Sequence, residues 1–263
     1  MIATNQYLEL WKNCAISMIR VQSDPGISIT IHLFTDQVLE AQEWWKKQET
    51  TINLVTHEIP NYVWPEATLF RYKIFSDHES DLQDDILIYL DSDMQFDDEM
   101  LSTLSPQEWI NGLAFVRHPG FSRTPLRSSV ALRFSNPSLI LQDLKWIKLL
   151  PHGMGTWELD KSLKSYVPRS KRKCYFHGAI WMGRKVEIKK MISILAKRIQ
   201  EDYEAGKIAI WHDESHLNWY GALNQVTILD SRYSWFKKYS HLKNVRPILE
   251  SIDKTELNFV RYE

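Results

Sequence analysis

The chain has 263 residues, 32 basic against 33 acidic side chains, a net charge of −1, and eleven tryptophans within a 44% hydrophobic composition. That length makes one large domain, or at most two, and buries roughly three quarters of its unfolded surface without disulfide staples. The balanced charge argues against a dedicated nucleic-acid binder, which would carry a basic excess, and no run reaches the roughly 20 apolar residues that cross a bilayer.

Cys14 and Cys174 form neither a disulfide framework nor a metal spacing and read as reduced thiols of an intracellular chain. The first residues, Met1-Ile2-Ala3-Thr4-Asn5, do not read as a signal peptide. The tryptophans suit a heavy core or sugar-stacking surfaces, and composition alone favours the core.

In chain order, Ser28 to Phe34 reads as a strand, Gln37 to Lys47 as a helix, Ile52 to His57 as a strand and Ala67 to Phe75 as a helix. Ile86 to Leu90 is apolar on both faces, which suits the middle of a largely parallel sheet covered on both sides. Ser122 to Gly155 differs in texture, with three arginines early and an amphipathic helix predicted from Pro137 to Leu150. Val186 to Glu204 carries Ile188, Met191, Ile192, Leu195 and Ile199 at helical spacing, with Gly206 as a stop, and Glu214 to Leu223 continues as a helix. Strands alternating with helices predict an open, doubly wound α/β sheet.

Two segments carry chemistry. "YLDSDMQF" (Tyr89 to Phe96) sets Asp91 and Asp93 beyond the carboxyl end of a strand, where open α/β sheets bind ligands. If the backbone stays extended there, both carboxylates point the same way, repel each other when alone and suit a hard divalent cation. An acidic surface turn is the alternative. "WHDESHLNWY" (Trp211 to Tyr220) packs two histidines and two acids into five residues. A zinc-protease helix needs its glutamate directly after the first histidine. Here that position holds Asp213, and a rotation of about 100° per residue aims Glu214 away from the His212/His216 pair. A structural His/Asp cluster remains the other reading.

"YLDSDMQF", "HPGF" (His118 to Phe121), "FHGAIWMG" (Phe176 to Gly183) and "WHDESHLN" (Trp211 to Asn218) resemble, in this order, blocks of glycosyltransferase family 6. That family holds the blood-group A and B transferases, the α-1,3-galactosyltransferases and bacterial and phage relatives. "FTD" (Phe34 to Asp36), "WPEATLFRYKIF" (Trp64 to Phe75) and "TWELDKSLKSYVP" (Thr156 to Pro168) extend the resemblance over nearly the whole chain. It implies a GT-A fold over residues 1–263: a single Rossmann-like nucleotide-sugar-binding domain with a mixed, mostly parallel central sheet and an acceptor-side insertion at 122–155. It also implies transfer of galactose from UDP-galactose to a glycan hydroxyl, α-1,3 to a galactose-type acceptor, with retention at the anomeric carbon. UDP-N-acetylgalactosamine is the alternative donor, and a non-catalytic glycan-binding module is the alternative of another class.

Residue by residue, the resemblance implies that Asp91 and Asp93 hold Mn²⁺ or another divalent cation, and that Glu214 is the catalytic carboxylate, as nucleophile or as stabiliser of an oxocarbenium-like state. Ala3, Tyr7, Arg71, His177, Gly178, Ala179, Asp213 and Lys254 would bind the donor, with Arg261 a further match in the basic tail. His118, Thr156 and Trp211 would contact the acceptor, an oligosaccharide or lipid-linked glycan. His177-Gly178-Ala179 would read the group on sugar C2, the large first residue and the alanine favouring galactose. The implied setting is a bacterial or phage-type cytoplasmic enzyme lacking a transmembrane anchor. Two departures stand out: the long 122–155 segment, read as an extra core element or as an acceptor lid or membrane-surface contact, and Met182 where the family usually has glycine.

Overall fold

The computed structural model describes residues 1–21, 26–62, 65–121, 155–236 and 246–252. Helix α1 (Tyr7–Val21) turns Leu8, Trp11 and Ala15 inward at three- and four-residue spacing, the pattern of one apolar face. These residues share a core with Leu33 of β1 (Thr30–Thr35) and Ala41 of α2 (Val38–Trp45). Trp11 lies edge-on to Trp44, with ring centroids 5.4 Å apart. Strand β2 (Asn53–Glu58) pairs parallel with β1, from Thr30 opposite Asn53 to Thr35 opposite Glu58, so α2 is the crossover between them.

The helix predicted over 67–75 is two helices, α3 (Glu66–Leu69) and α4 (Arg71–Asp77). The chain bends between them at Phe70, with φ −91° and ψ 11°, and the bend makes Arg71 the first residue of α4. After β3 (Ile86–Leu90) the chain turns at Ser92 and Asp93 into β4 (Met94–Phe96). Strands β5 (Leu113–Arg117), β6 (Phe176–Arg184) and β7 (Thr227–Leu229) join β3 in a sheet ordered β3-β6-β5-β7. A smaller sheet combines β4, β8 (Trp235–Phe236) and β9 (Leu249–Ser251), with β9 central.

The architecture is mixed α/β, and two expectations about the sheet are corrected. Among the described strands β3 is an edge, paired antiparallel with β6. Parallel pairs (β1–β2, β5–β7, β8–β9) are matched by antiparallel ones (β3–β6, β4–β9, β5–β6), so the sheets are evenly mixed rather than mostly parallel. An apolar run reports that both faces of a strand are covered; it does not encode the direction of its partner. The faces of β3 are covered: Leu87 and Tyr89 pack with Phe75 and Trp181, and Ile88 and Leu90 with Met94 and Ile180. Met182 is fully buried on β6, between Ile88 of β3 and Ala114 of β5, where its side chain fills core volume that a glycine leaves open.

Helix α5 (Lys185–Glu204) buries the five apolar residues that its spacing singles out, and Gly206, at φ +70°, turns the chain out of it. Helix α6 (His212–Leu223) lies against α5 and β6. Trp11, Trp109, Trp157, Trp181 and Trp235 are core residues, whereas Trp211 is half exposed. An apolar cavity of about 240 Å³ lies between β1 and β3, lined by residues such as Ile31, Ile88 and Leu90. Both cysteines are free. Among the described residues no helix is long and apolar enough to cross a membrane. Lys254, Arg261, Trp64, the helix predicted at 137–150 and the 122–155 segment other than Gly155 lie outside the described residues.

Candidate active site

A cleft of about 630 Å³ opens where β3 ends, between the N-terminal segment, α3–α4, β6 and the start of α6. Tyr7, Arg71, Asp91, Asp93, His177, Gly178, Ala179, Trp211, Asp213 and Glu214 all line it. Charged groups converge there from three separate stretches of chain, at Arg71, Asp91 with Asp93, and Asp213 with Glu214. The apolar cavity behind β1 has no such set, so the cleft is the candidate site.

Arg71 organises one wall. Its side chain is buried, its Nη2 lies 3.1 Å from Asp91 Oδ1, and its Nη1 lies 2.8 Å from Asp213 Oδ2. Nη1 also donates to the Gly178 carbonyl at 2.9 Å, which fixes the guanidinium against β6. The approach to Asp213 is an ion contact rather than an aligned hydrogen bond. Asp213 Oδ2 and Arg71 Nε therefore remain buried polar atoms with no hydrogen-bond partner among the described residues. Buried polar atoms of this kind call for a partner, which in a cleft water, an ion or a ligand can supply. Burial pushes the Asp213 carboxyl up to about 6 despite Arg71 beside it.

Asp91 and Asp93 reach the cleft by a different route from the one their spacing suggests. The backbone does not stay extended, since Ser92 and Asp93 form a turn, so strand alternation does not align the two carboxylates. Both nonetheless line the same wall. Tyr89 Oη and Arg71 Nη2 both engage Asp91 Oδ1, leaving Oδ2 without a hydrogen-bond donor among the described residues.

Glu214 stands in the first turn of α6, after His212, whose positive φ of 44° is a strained conformation for a non-glycine residue. The turn brings Glu214 onto β6. Its Oε2 accepts from the Gly178 amide at 2.7 Å and its Oε1 from the Tyr175 hydroxyl at 2.9 Å. Burial nevertheless pushes its carboxyl up to about 7. Asn218, one turn later, accepts from the Phe176 amide at 2.7 Å and donates to the Phe176 carbonyl at 2.9 Å, which locks α6 to β6. His216 is buried near Asp202, 3.6 Å away, and belongs to the core.

His118 and His177 stand beside Glu214, and ligand-type atoms of the three lie within 4.8 Å of one another. Of these donors His118 is the weak one. His118 Nδ1 accepts from the Gly120 amide at 3.0 Å, so in the neutral ring Nε2 carries the hydrogen and has no lone pair to offer. His177 Nδ1 meets Ser234 Oγ, and burial keeps that ring neutral, with its pKa down to about 3.

The remaining expected residues lie off the wall. Ala3 is buried in the core beside Leu8 and Trp11, while its neighbours Ile2 and Thr4 line the cleft. Thr156 and His118 sit behind Tyr175 and His177: Tyr175 Oη lies 3.3 Å from the Thr156 carbonyl, and the His118 and His177 rings meet at 4.7 Å. Sequence reasoning missed Tyr89, Tyr175 and Asn218, although all three lie in or beside the quoted motifs. It also missed Thr68, inside the quoted WPEATLFRYKIF block, and Asn61 and Tyr62, for which no motif gave a signal.

Residues 145–262 match the family described as Glycosyltransferase family 6. The chain is 27% identical to histo-blood group ABO system transferase 1 of Rattus norvegicus over 190 residues, covering 70% of this chain and 46% of that relative. It is 27% identical to histo-blood group ABO system transferase 2 of the same species over 215 residues, 80% of this chain and 54% of the relative. It is 31% identical to the O-antigen biosynthesis glycosyltransferase WbnI of Escherichia coli over 98 residues, 37% of this chain and 42% of the relative. The chain is thus similar, over its C-terminal part, to glycosyltransferase family 6. It spans about half the length of the curated relatives it matches.

Proposed function

We propose that this chain is a retaining hexosyltransferase of GT-A type, one nucleotide-sugar-binding domain that moves galactose from UDP-galactose to a hydroxyl of a glycan, in α-1,3 linkage to a galactose-type acceptor. The observation that carries this reading is the convergence of Arg71, Asp91, Asp93, Asp213 and Glu214 in one cleft. The relatives' names, ABO transferase and O-antigen glycosyltransferase, support a sugar donor and a glycan acceptor. A glycan-binding module has no use for two carboxylates of raised pKa beside a buried arginine, so the catalytic reading is favoured.

Arg71 and Asp213 have the unsatisfied atoms to receive the donor: the guanidinium toward diphosphate oxygens, the carboxylate toward sugar hydroxyls. Asp91 and Asp93 offer oxygen ligands of the kind a hard divalent cation takes, and Asp91 Oδ2 is open to one. Mn²⁺ or a similar ion held there would supply Lewis-acid neutralisation of the leaving diphosphate. Glu214 sets a negative charge against the anomeric carbon as positive charge develops there. Each of its oxygens already accepts a hydrogen bond, which lowers its nucleophilicity and supports the charge-stabilising role over covalent attack. Trp211, half exposed at the mouth, offers an apolar face to an acceptor sugar.

Replacing Asp91 or Asp93 by Ala is expected to abolish most turnover and to weaken UDP binding measured calorimetrically with Mn²⁺ present. Excess EDTA should have the same effect on the unmodified protein. Full turnover in EDTA would remove the metal from the mechanism.

The choice of galactose rests on His177 and Ala179, which both line the cleft. A pocket rejects an oversized group by clash more readily than it rejects a smaller one. His177 is held by Ser234, and that fixed ring faces the larger N-acetyl group with a rigid obstacle. With UDP-galactose and UDP-N-acetylgalactosamine competing at equal concentration, kcat/KM should favour galactose. The double substitution His177→Gly, Ala179→Gly should shift the preference toward the larger donor. A wild-type preference for the N-acetyl donor would refute the assignment.

A further inference from the structure

We infer that Tyr175 is a positioning residue for Glu214, its hydroxyl holding the catalytic carboxylate in register with the Gly155–Thr156 segment on the other side of the ring. The inference rests on the catalytic reading of Glu214 given above. Tyr175 precedes β6, and its ring is buried in an aromatic cage: Trp157 stands edge-on at 5.2 Å, Phe121 at 5.1 Å and His118 at 5.8 Å. Such a cage accepts a phenylalanine equally well. The hydroxyl spends its one hydrogen on the site, at 2.9 Å from Glu214 Oε1 and 3.3 Å from the Thr156 carbonyl. A charged acceptor outbids a neutral carbonyl, so the ionised Glu214 takes the hydrogen bond.

The other side of the ring fixes the segment that carries Thr156. Gly155 has φ +152°, and a Cβ built on it would lie 2.3 Å from the Tyr175 ring. Residue 155 is therefore glycine because the tyrosine ring fills the side-chain space, and the chain at 155–157 is moulded on that ring. One side chain thus ties two parts of the site that are far apart in sequence. The second oxygen of Glu214 is held by the Gly178 amide, so the carboxylate has two anchors, and Tyr175 is the one that a substitution can remove.

Tyr175→Phe keeps the cage and removes the hydroxyl. It is expected to lower kcat about ten- to a hundredfold, the rate equivalent of one hydrogen bond to a charged group. UDP affinity and thermal midpoint should stay close to those of the unmodified protein. Because Tyr175 acts through Glu214, the same substitution in a Glu214→Gln background should lower kcat little further. A Tyr175→Phe protein with unchanged kcat would overturn the inference while leaving the proposed function intact. So would an equal loss of kcat in both backgrounds, which is the signature of general loosening. Failure of Tyr175→Phe to fold would overturn it too, by making the hydroxyl structural. If the unmodified protein transfers no hexose, the proposed function falls and this role for Tyr175 falls with it.

Discussion

Glu214→Gln is expected to fold, to bind UDP and to turn over at least about two orders of magnitude more slowly, the usual consequence of removing a group that stabilises charge in the transition state. The substitution keeps the shape and removes the charge. With its oxygen toward the Gly178 amide, a glutamine keeps that hydrogen bond and turns its NH₂ to the Tyr175 hydroxyl, which can accept from it. Loss of activity without loss of fold would therefore report the charge itself. The unmodified enzyme should show the same charge through pH. Burial holds the Glu214 carboxyl up at about 7, so the ionised, active form accumulates as pH rises through that value, and kcat should climb with it. Near-normal turnover of Glu214→Gln, or a kcat flat between roughly pH 6 and 8, would move the catalytic role elsewhere, with Asp213 the next candidate.

Arg71→Met is expected to have the largest effect on stability. Arg71 is buried between Asp91 and Asp213, and removing one partner of a buried ionic group costs about 3–5 kcal/mol because charge is left uncompensated. The cost depends on pH in a definite direction. Asp213 already has a raised carboxyl pKa, and losing the cation raises it further. A folded-state carboxyl raised above its unfolded value binds protons more readily than the unfolded chain, so the penalty is largest above the folded pKa and fades as pH falls toward the unfolded one. Denaturant titrations should show a deficit that is larger at about pH 8 than at about pH 5. A deficit below about 1 kcal/mol at the higher pH would mean that Asp213 finds another partner when the guanidinium is gone.

The local elements were legible where local chemistry decides them. The apolar spacing of Ile188 to Ile199 gave α5, and the short runs at 30–35, 53–58 and 86–90 emerge as strands. Sheet topology was not legible, because a strand apolar on both faces says nothing about whether its neighbour runs parallel, and β3 pairs antiparallel. The break at Phe70 was hidden for a similar reason: every residue from 67 to 75 tolerates a helix, and tertiary packing of Arg71 against β6 fixes where it bends. Within the site, the motifs named the carboxylates but not their supports. Tyr89, Tyr175 and Asn218 read as core aromatics and a helix-face polar residue until their hydroxyl and amide groups are seen on Asp91, Glu214 and Phe176. The turn at Ser92–Asp93 shows the converse: both acids line the cleft, as expected, though not by the alternation of an extended strand.

The most direct measurement is mass-spectrometric product analysis after the protein is incubated with UDP-galactose, Mn²⁺ and a galactose-terminated oligosaccharide, with Glu214→Gln as the paired control. The expected result is an acceptor heavier by one hexose, formed by the unmodified protein and nearly absent with the variant. An unchanged acceptor, whether or not UDP is released, would contradict the assignment of this cleft to hexosyl transfer onto a galactose-type glycan.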